Sequence, residues 1–361
     1  MPRMGPARRG CGPRPRPVRR RRHALSSRLM RRAAKLPIVV TSHPVRSAPC
    51  LLAALVLAVA AGGGRDEEPL PEQEIRIASG LEGGVYREYA RAFGDVINEH
   101  VPRLRASVLT TQGSVENLQR LEAGTAKLAF SLADTARPAI RGRGPFARRL
   151  RIVALARLYD DYVQVIARSG SGLERVTDLN SSRTVSIGAR RSGTALTARA
   201  ILRHLRLDGP RGPMVRSLPL QESADALLAG EIDAFFWSGG LPTDTIKDLS
   251  GMMRLRLLAL PVGTGAALDP SGNLYDETSI PRYVYETGTP VPTITAANLL
   301  VVREDMPEET AFRLTRALFE HKRELETRHP EARRLNLRDA RSTYPLNLHP
   351  GALRWYREAS R

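Results

Sequence analysis

Twice along this chain the hydrophobic pattern runs strand, Gly-containing turn, helix, strand, helix, strand, and that repeated order constrains the fold more than anything else in the sequence. In the first copy Ile75–Ser79 alternates like a short strand, Gly80–Gly84 makes a turn, and Val85, Tyr86, Tyr89, Ala90, Phe93, Val96 and Ile97 share one helical face. Val108–Thr110 reads as a second strand, Ser114 as the N-cap of a helix carrying Val115, Leu118 and Leu121, and Leu128–Ser131 as a third strand. The second copy repeats this order: strand Thr184–Ile187, turn Gly188–Thr194, a helical face through Ala198, Ile201, Leu202 and Leu205, strand Val215–Leu218, helix Glu222–Ala229, strand Ala234–Trp237. Set at an offset of 106 residues, Glu116–Phe130 matches Glu222–Phe236 at five positions, including Ala123-Gly124 against Ala229-Gly230. Two similarly built α/β lobes are expected.

Two extended apolar runs, Ile152–Arg168 and Thr293–Val302, separate and follow the copies, and a helix from about Pro307 to Arg328 comes after. Two crossings between two lobes predict a hinged protein whose C-terminal part returns to the first lobe. The expected division is a basic leader over 1–65, a linker over 66–73, the first part of lobe I over 74–172, lobe II over 173–291, and the return to lobe I over 292–361.

Composition removes one function class. The formal charge is +19 over 361 residues, which would suggest nucleic acid. Fifteen Lys and Arg, and no acid, lie in residues 1–65, leaving 41 basic against 37 acidic residues in the rest. The body is close to balanced, so no nucleic-acid partner is expected. Within the leader, Ala48–Ala61 is uncharged and apolar, short for a membrane span but of the length of a secretory signal core. Ala58-Val59-Ala60 fits a small-x-small cleavage site, and the alternative is a buried N-terminal helix. Met30 offers a second possible start. Gly62-Gly63-Gly64 stands where a lipoprotein would place its Cys, so a membrane tether would have to be an uncleaved signal segment. Both cysteines, Cys11 and Cys50, lie in the leader, which leaves the body without a thiol. An exported, extracytoplasmic protein, periplasmic or associated with the cell surface, is expected.

Chemistry is expected at the strand-to-helix turns, because a helix N-terminus offers free N–H groups and partial positive charge. Four such turns are Gly83-Gly84, Gly113-Ser114, Ser192-Gly193-Thr194 and Gly239–Thr243. In open α/β sheets they gather at the carboxyl ends of strands and favour a small anionic ligand. Gly188–Thr194 approaches a P-loop but has Thr194 where the phosphate-binding Lys belongs. The body histidines, His100, His204, His321, His329 and His349, show no ligand spacing, and Asp160-Asp161 reads as an exposed turn. No catalytic constellation, cofactor or metal site is expected.

Five segments together resemble the TAXI-type solute-binding proteins, the extracytoplasmic receptors of one class of TRAP transporter: IASGLEGGVYREYA (77–90), TTQGSVENLQRLEAG (110–124), TVSIGARRSGTALTARAIL (184–202), ESADALLAGEIDAFFWSGGLPT (222–243) and LNLHPGALRWYRE (346–358). The resemblance implies a two-lobe type II periplasmic-binding fold, a central cleft for a small organic acid such as an amino-dicarboxylate or 2-oxo acid, and a membrane permease as partner. At its motif positions Gly83, Gly84, Tyr86, Asn117, Asp134, Ser192, Gly193 and Thr194 would face the cleft. Val85, Arg87 and Arg190-Arg191 depart from the family pattern and alter the expected lining. Two other readings stand beside it. One is an enzyme on the same fold, resembling the pyrimidine-precursor synthases of thiamine biosynthesis, which would need a cofactor Lys or a metal cluster. The other is a receptor feeding a signalling partner; an adjacent permease or sensor-kinase gene would tell transport from signalling.

Overall fold

The computed structural model describes residues 71–286 and 288–361. The leader, its signal core and most of the linker lie outside the described residues.

The elements follow in the order β1 (Gln73–Ala78), α1 (Val85–His100), β2 (Leu104–Leu109), α2 (Ser114–Glu122), β3 (Leu128–Leu132), α3 (Ala133–Ala139) and β4 (Ile152–Arg168). Next come β5 (Thr184–Ser186), α4 (Gly193–His204), β6 (Met214–Arg216), α5 (Leu220–Ala229), β7 (Ala234–Gly239), α6 (Asp244–Met252), β8 (Leu255–Leu257), α7 (Thr264–Leu268) and β9 (Tyr275–Ile280). The chain closes with β10 (Val291–Arg303), α8 (Glu308–Glu320), α9 (Lys322–Arg328) and α10 (Pro350–Ala359). Both copies of the repeated order are present. Ser114 is the first helical residue of α2 rather than its cap; Gly113, at φ 116°, takes that place. The helix expected over 307–328 is broken at His321, which ends α8 and caps α9.

The strands form one path, β2-β1-β3-β10-β4-β7-β5-β6, with β8 on β4 and β9 on β10. Two long strands carry it from one half to the other. β4 pairs with β10 through Ile152–Tyr162 and with β7 through Tyr162–Ala167. β10 pairs with β9 through Val291–Ala296 and with β3 through Asn298–Val302. These are the two crossings read from the sequence.

Each half is covered on both faces. In the first, Tyr89, Phe93 and Ile97 of α1 pack with Leu314 and Leu318 of α8 over Ile77 and Phe130, while Val115, Leu118 and Leu121 of α2 fill the opposite face. In the second, Ala198, Ile201 and Leu202 of α4 cover Val165 and Phe236, and Leu227, Ile246 and Leu249 of α5 and α6 cover Ile166 and Phe235. Sequence neighbours such as Phe235 and Phe236 fall in different cores because strand side chains alternate between faces. A strand buried on both faces reads as a continuous apolar run, as β7 does. The result is a two-lobe α/β fold. Among the described residues no helix is long and apolar enough to cross a membrane.

Candidate functional site

Where the lobes meet, the turns before α1, α2, α4 and α5 surround a cavity of about 230 Å³. Gly80–Glu82 and Gly84–Tyr86 form the wall at α1, Gln112–Ser114 the wall at α2, and Ser192–Thr194 the wall at α4. Pro219–Glu222 opens α5 on the far side, and Trp237–Gly239 closes it from β7. Tyr159 and Asp161 of β4 make the floor. The lining is largely apolar and contains no Lys, Arg, His or Cys.

Glycines set this geometry. A Cβ on Gly193 would stand 2.7 Å from Leu132 Cδ1 and 2.8 Å from Ser114 Oγ, and one on Gly113 would stand 3.4 Å from Ser192 Cα. The N-termini of α2 and α4 therefore meet almost backbone to backbone. The contact is bonded across the lobes: Glu116 N–H donates to the Arg191 carbonyl (3.1 Å), and Arg191 N–H donates to Gln112 Oε1 (3.1 Å). Farther out, Thr197 Oγ1 (2.5 Å) and the Tyr275 hydroxyl (2.9 Å) donate to Asp134 Oδ2, and Arg137 donates to Asp269 (2.7 Å).

Five of the expected site residues, Gly84, Tyr86, Ser192, Gly193 and Thr194, line the cavity. Ser192 caps α4, accepting from Ala195 N–H, so the N–H groups of Gly193 and Thr194 are the ones left at that terminus. Thr194 Oγ1 accepts from Ser238 N–H at 3.3 Å. Tyr86 donates to Asn298 Oδ1 and lies 3.3 Å from Ser114 Oγ. Burial, reinforced by the charge of Asp161, holds its phenol well above the usual range.

Three expected residues are placed differently. Gly83 sits one residue outside the lining at φ 74°, facing Thr245. Asp134 is buried between α3 and α4 with Thr197 and Tyr275 as partners, outside the lining. Asn117 is fully buried below the cavity. Its amide nitrogen donates to the carbonyls of Ser79 (2.6 Å) and Phe130 (2.8 Å), and its oxygen accepts from Thr111 Oγ1 (2.5 Å). It knits the ends of β1 and β3 to α2 and has no amide hydrogen left for a ligand. Asn117→Ala should therefore cost about 2–4 kcal/mol of stability, through broken buried hydrogen bonds and the void left. Denaturant unfolding checks this; an unchanged midpoint together with weakened binding would return Asn117 to the site.

Other residues were not expected here. Asp160-Asp161 is no exposed turn: both lie in β4, and Asp161 is 4% exposed. Burial pushes the Asp161 carboxyl up to about 8 against the pull of the Asn298 amide, and the nearby carboxylates of Glu331 and Asp160 push the same way as burial. The turn at Pro219-Leu220 and the Trp237 ring, tethered by its N–H to Thr243 Oγ1 at 3.1 Å, complete the enclosure. Arg190 and Arg191 lie outside the lining and are exposed, Arg191 bonded instead to Gln119. Away from the cavity the fold brings His100 and His321 together, rings stacked at 3.7 Å, with Glu324 2.9 Å from the first. Parallel rings cannot both aim an in-plane lone pair at one ion, so the trio fits a tie between α1 and α9 better than a metal site.

A two-lobe chain with crossing strands and a cavity where helix N-termini converge defines the type II periplasmic-binding-protein architecture. MatC from Rhodopseudomonas palustris, solved with bound malate, has this fold at a TM-score of 0.50 and 14% identity, over 80% of this chain and 97% of that one. The periplasmic aliphatic sulphonate binding protein SsuA from Escherichia coli aligns at a TM-score of 0.46 and 12% identity, over 79% and 83%. A putative L-cystine ABC transporter protein from Listeria monocytogenes aligns at 0.45 and 12%, over 71% and 94%. Residues 77–359 match the NMT1-like family, and the chain belongs to that family.

Proposed function

We propose that this chain is an extracytoplasmic solute-binding receptor, not an enzyme, that captures a small organic acid between its lobes and delivers it to a membrane permease of the TRAP type. The observation that carries the reading is the convergence of four helix N-termini on one enclosed cavity. An anion there gains from partial positive charge and free N–H groups without a cationic side chain. The backbone N–H groups of Gly193 and Thr194, with the termini of α1 and α2 opposite, place donors on both lobes. A ligand bridging them favours the closed arrangement. The aromatic walls of Tyr86 and Trp237 suit a small carbon skeleton. A synthase on this fold would want a cofactor Lys or a metal cluster, and the lining has no Lys, His or Cys, only the carboxyl groups of Glu82, Asp161 and Glu222. Malate in MatC belongs to the same ligand class, and the TRAP assignment rests on the five sequence motifs. The expected division into lobe I, 74–172 with 292–361, and lobe II, 173–291, is best drawn inside the crossing strands, since Tyr162–Ala167 of β4 and Val291–Ala296 of β10 already pair with strands of the second lobe.

The test is a thermal-shift screen of the purified chain with malate, succinate, 2-oxoglutarate and L-glutamate, followed by small-angle scattering. At a hundredfold excess over its Kd a true ligand should add about 2.7 kcal/mol of stability. Compaction should accompany it. No hit among dicarboxylates, 2-oxo acids and amino acids would overturn the organic-acid reading.

A further inference from the structure

Hydrogen-bonding groups without partners gather at the cavity floor. Among the buried side-chain atoms of the described residues that lack a well-aligned partner are Asp161 Oδ1, the Tyr159 hydroxyl, Asn298 Nδ2 and the Ser238 hydroxyl, with the Asn298 amide close enough to the Asp161 carboxyl to act on its titration. They sit on three neighbouring strands, with Asn298 opposite Tyr159 across β10 and β4, and Ser238 opposite Val163 across β7 and β4. Asp161, Tyr159 and Ser238 also line the cavity. Buried polar atoms in native proteins are paired, so such a concentration marks where a ligand completes the bonding.

The charges around Asp161 decide in which form it takes part. From its own strand it is faced by Asp160 and Tyr159, from α3 by Asp134, from α1 by Tyr86, from β10 by Asn298, and from the turn after α9 by Glu331. Glu82 and, from α5, Glu222 are on the same lining. The nearby cations are committed elsewhere: Arg157 to Asp160 at 2.7 Å and Arg334 to Glu331 at 2.8 Å. An ionised Asp161 would be a buried charge without a counter-ion, and an anion brought beside it would meet repulsion. Protonation removes both costs and adds a donor to those of Tyr159, Asn298 and Ser238.

We propose that Asp161 enters the complex as a carboxylic acid and donates its hydrogen to an oxygen of the ligand, so that capture of an organic anion above neutral pH takes up one proton from water. This rests on the organic-acid reading above. The position of its titration, about 8, agrees: the proton is largely in place at pH 7 and is lost on going to pH 9.

Malate, succinate and 2-oxoglutarate serve as probes because none of them titrates between pH 6 and 10. For a probe that binds, Kd should be level below pH 7 and weaken about tenfold per pH unit above 8. Calorimetry at pH 9 in buffers of different ionisation heat should show uptake of close to one proton. In Asp161→Asn the amide donates without titrating, so the slope should vanish. Infrared spectra of the unliganded chain should carry the C=O stretch of a protonated buried carboxyl at pH 7, missing in Asp161→Asn. A Kd that tightens as pH rises through 8 would put a ligand ammonium on an ionised Asp161 and overturn the proposal. So would a flat wild-type profile, an equal slope in both proteins, or no acid band at pH 7. In each of these cases a bound probe leaves the organic-acid reading standing. If neither these probes nor the amino acids of the screen bind at any pH, that reading falls and the proton coupling falls with it.

Discussion

Gly193→Val should reduce ligand affinity by more than a hundredfold while the unliganded chain stays folded. Gly193 is the first residue of α4, in a region of backbone that any residue adopts, so within its own lobe the substitution meets no conformational barrier. The obstacle lies across the cleft. Even a Cβ would stand 2.7 Å from Leu132 Cδ1, 2.8 Å from Ser114 Oγ and 3.2 Å from Thr135 Oγ1, and valine adds two methyl groups to that. Ser114 cannot swing aside freely, since its Oγ accepts from Leu132 N–H at 3.1 Å and lies beside Tyr86. Closing over the bulk would break the Gln112–Arg191 and Glu116–Arg191 bonds and part the two helix N-termini that are to share the ligand. Overpacking of this kind costs about 1–3 kcal/mol or more, and here the cost falls on the closed state alone. Adding the lost contacts from one lobe brings the total past 2.7 kcal/mol, or a hundredfold. Titration calorimetry on a hit from the organic-acid screen reads the affinity, and scattering reads the failure to compact. Wild-type affinity in Gly193→Val would mean that the lobes do not close through this contact. A collapsed melting temperature without ligand would mean that the clash belongs to folding rather than to closure.

What could be read in advance follows the range of the forces involved. Helix periods and Gly turns are local, so α1, α2, α4 and α5, and the turns that open three of them, were legible from spacing alone. β4 and β10 were legible as long apolar runs, and their role as crossings followed from their places between and after the copies. Side-chain destinations depend on partners far away in sequence. Asn117 looked like a donor at a helix start, yet its amide hydrogens go to Ser79 and Phe130, carbonyls brought beside it by the pairing of β1 with β3. Asp134 looked like a cleft acceptor, but α4 and β9 close over it. Asp160-Asp161 was misread because ionisable residues are almost never fully buried, so two in a row suggest solvent. One signal was available: Leu158, Tyr159, Tyr162 and Val163 flank the pair without a turn residue, which favours an uninterrupted strand. Placing Asp161 at a cavity floor needed the register of β10 as well, and no local pattern carries that.

The burial of Asp161 should also make folding stability fall steeply as pH rises from about 4 to 8, and Asp161→Asn should remove much of that fall. The sign follows from which state holds the proton more tightly. In the folded chain burial holds the carboxyl near 8, against an ordinary value of 3.8. Below 3.8 both states are protonated and the folded state enjoys the full advantage. Between the two values the unfolded chain ionises while the folded chain keeps its proton, and stability drops by about 1.4 kcal/mol per pH unit. Above 8 the folded chain must hold a buried charge among Glu331, Asp160 and Asp134, and the advantage is gone. Summed over the window this is at most about 6 kcal/mol. Asp134 and Glu331, both raised first of all by burial, tilt the curve in the same direction, so the variant should keep part of the slope. Asparagine preserves the shape and a hydrogen-bond donor but carries no charge at any pH. Urea unfolding of both proteins from pH 4.5 to 9 should show the variant gaining on the wild type with each unit and exceeding it by a few kcal/mol at pH 9. A difference that does not change with pH would mean that Asp161 is as well solvated in the folded chain as in the unfolded one, and the cavity floor would then be open to water.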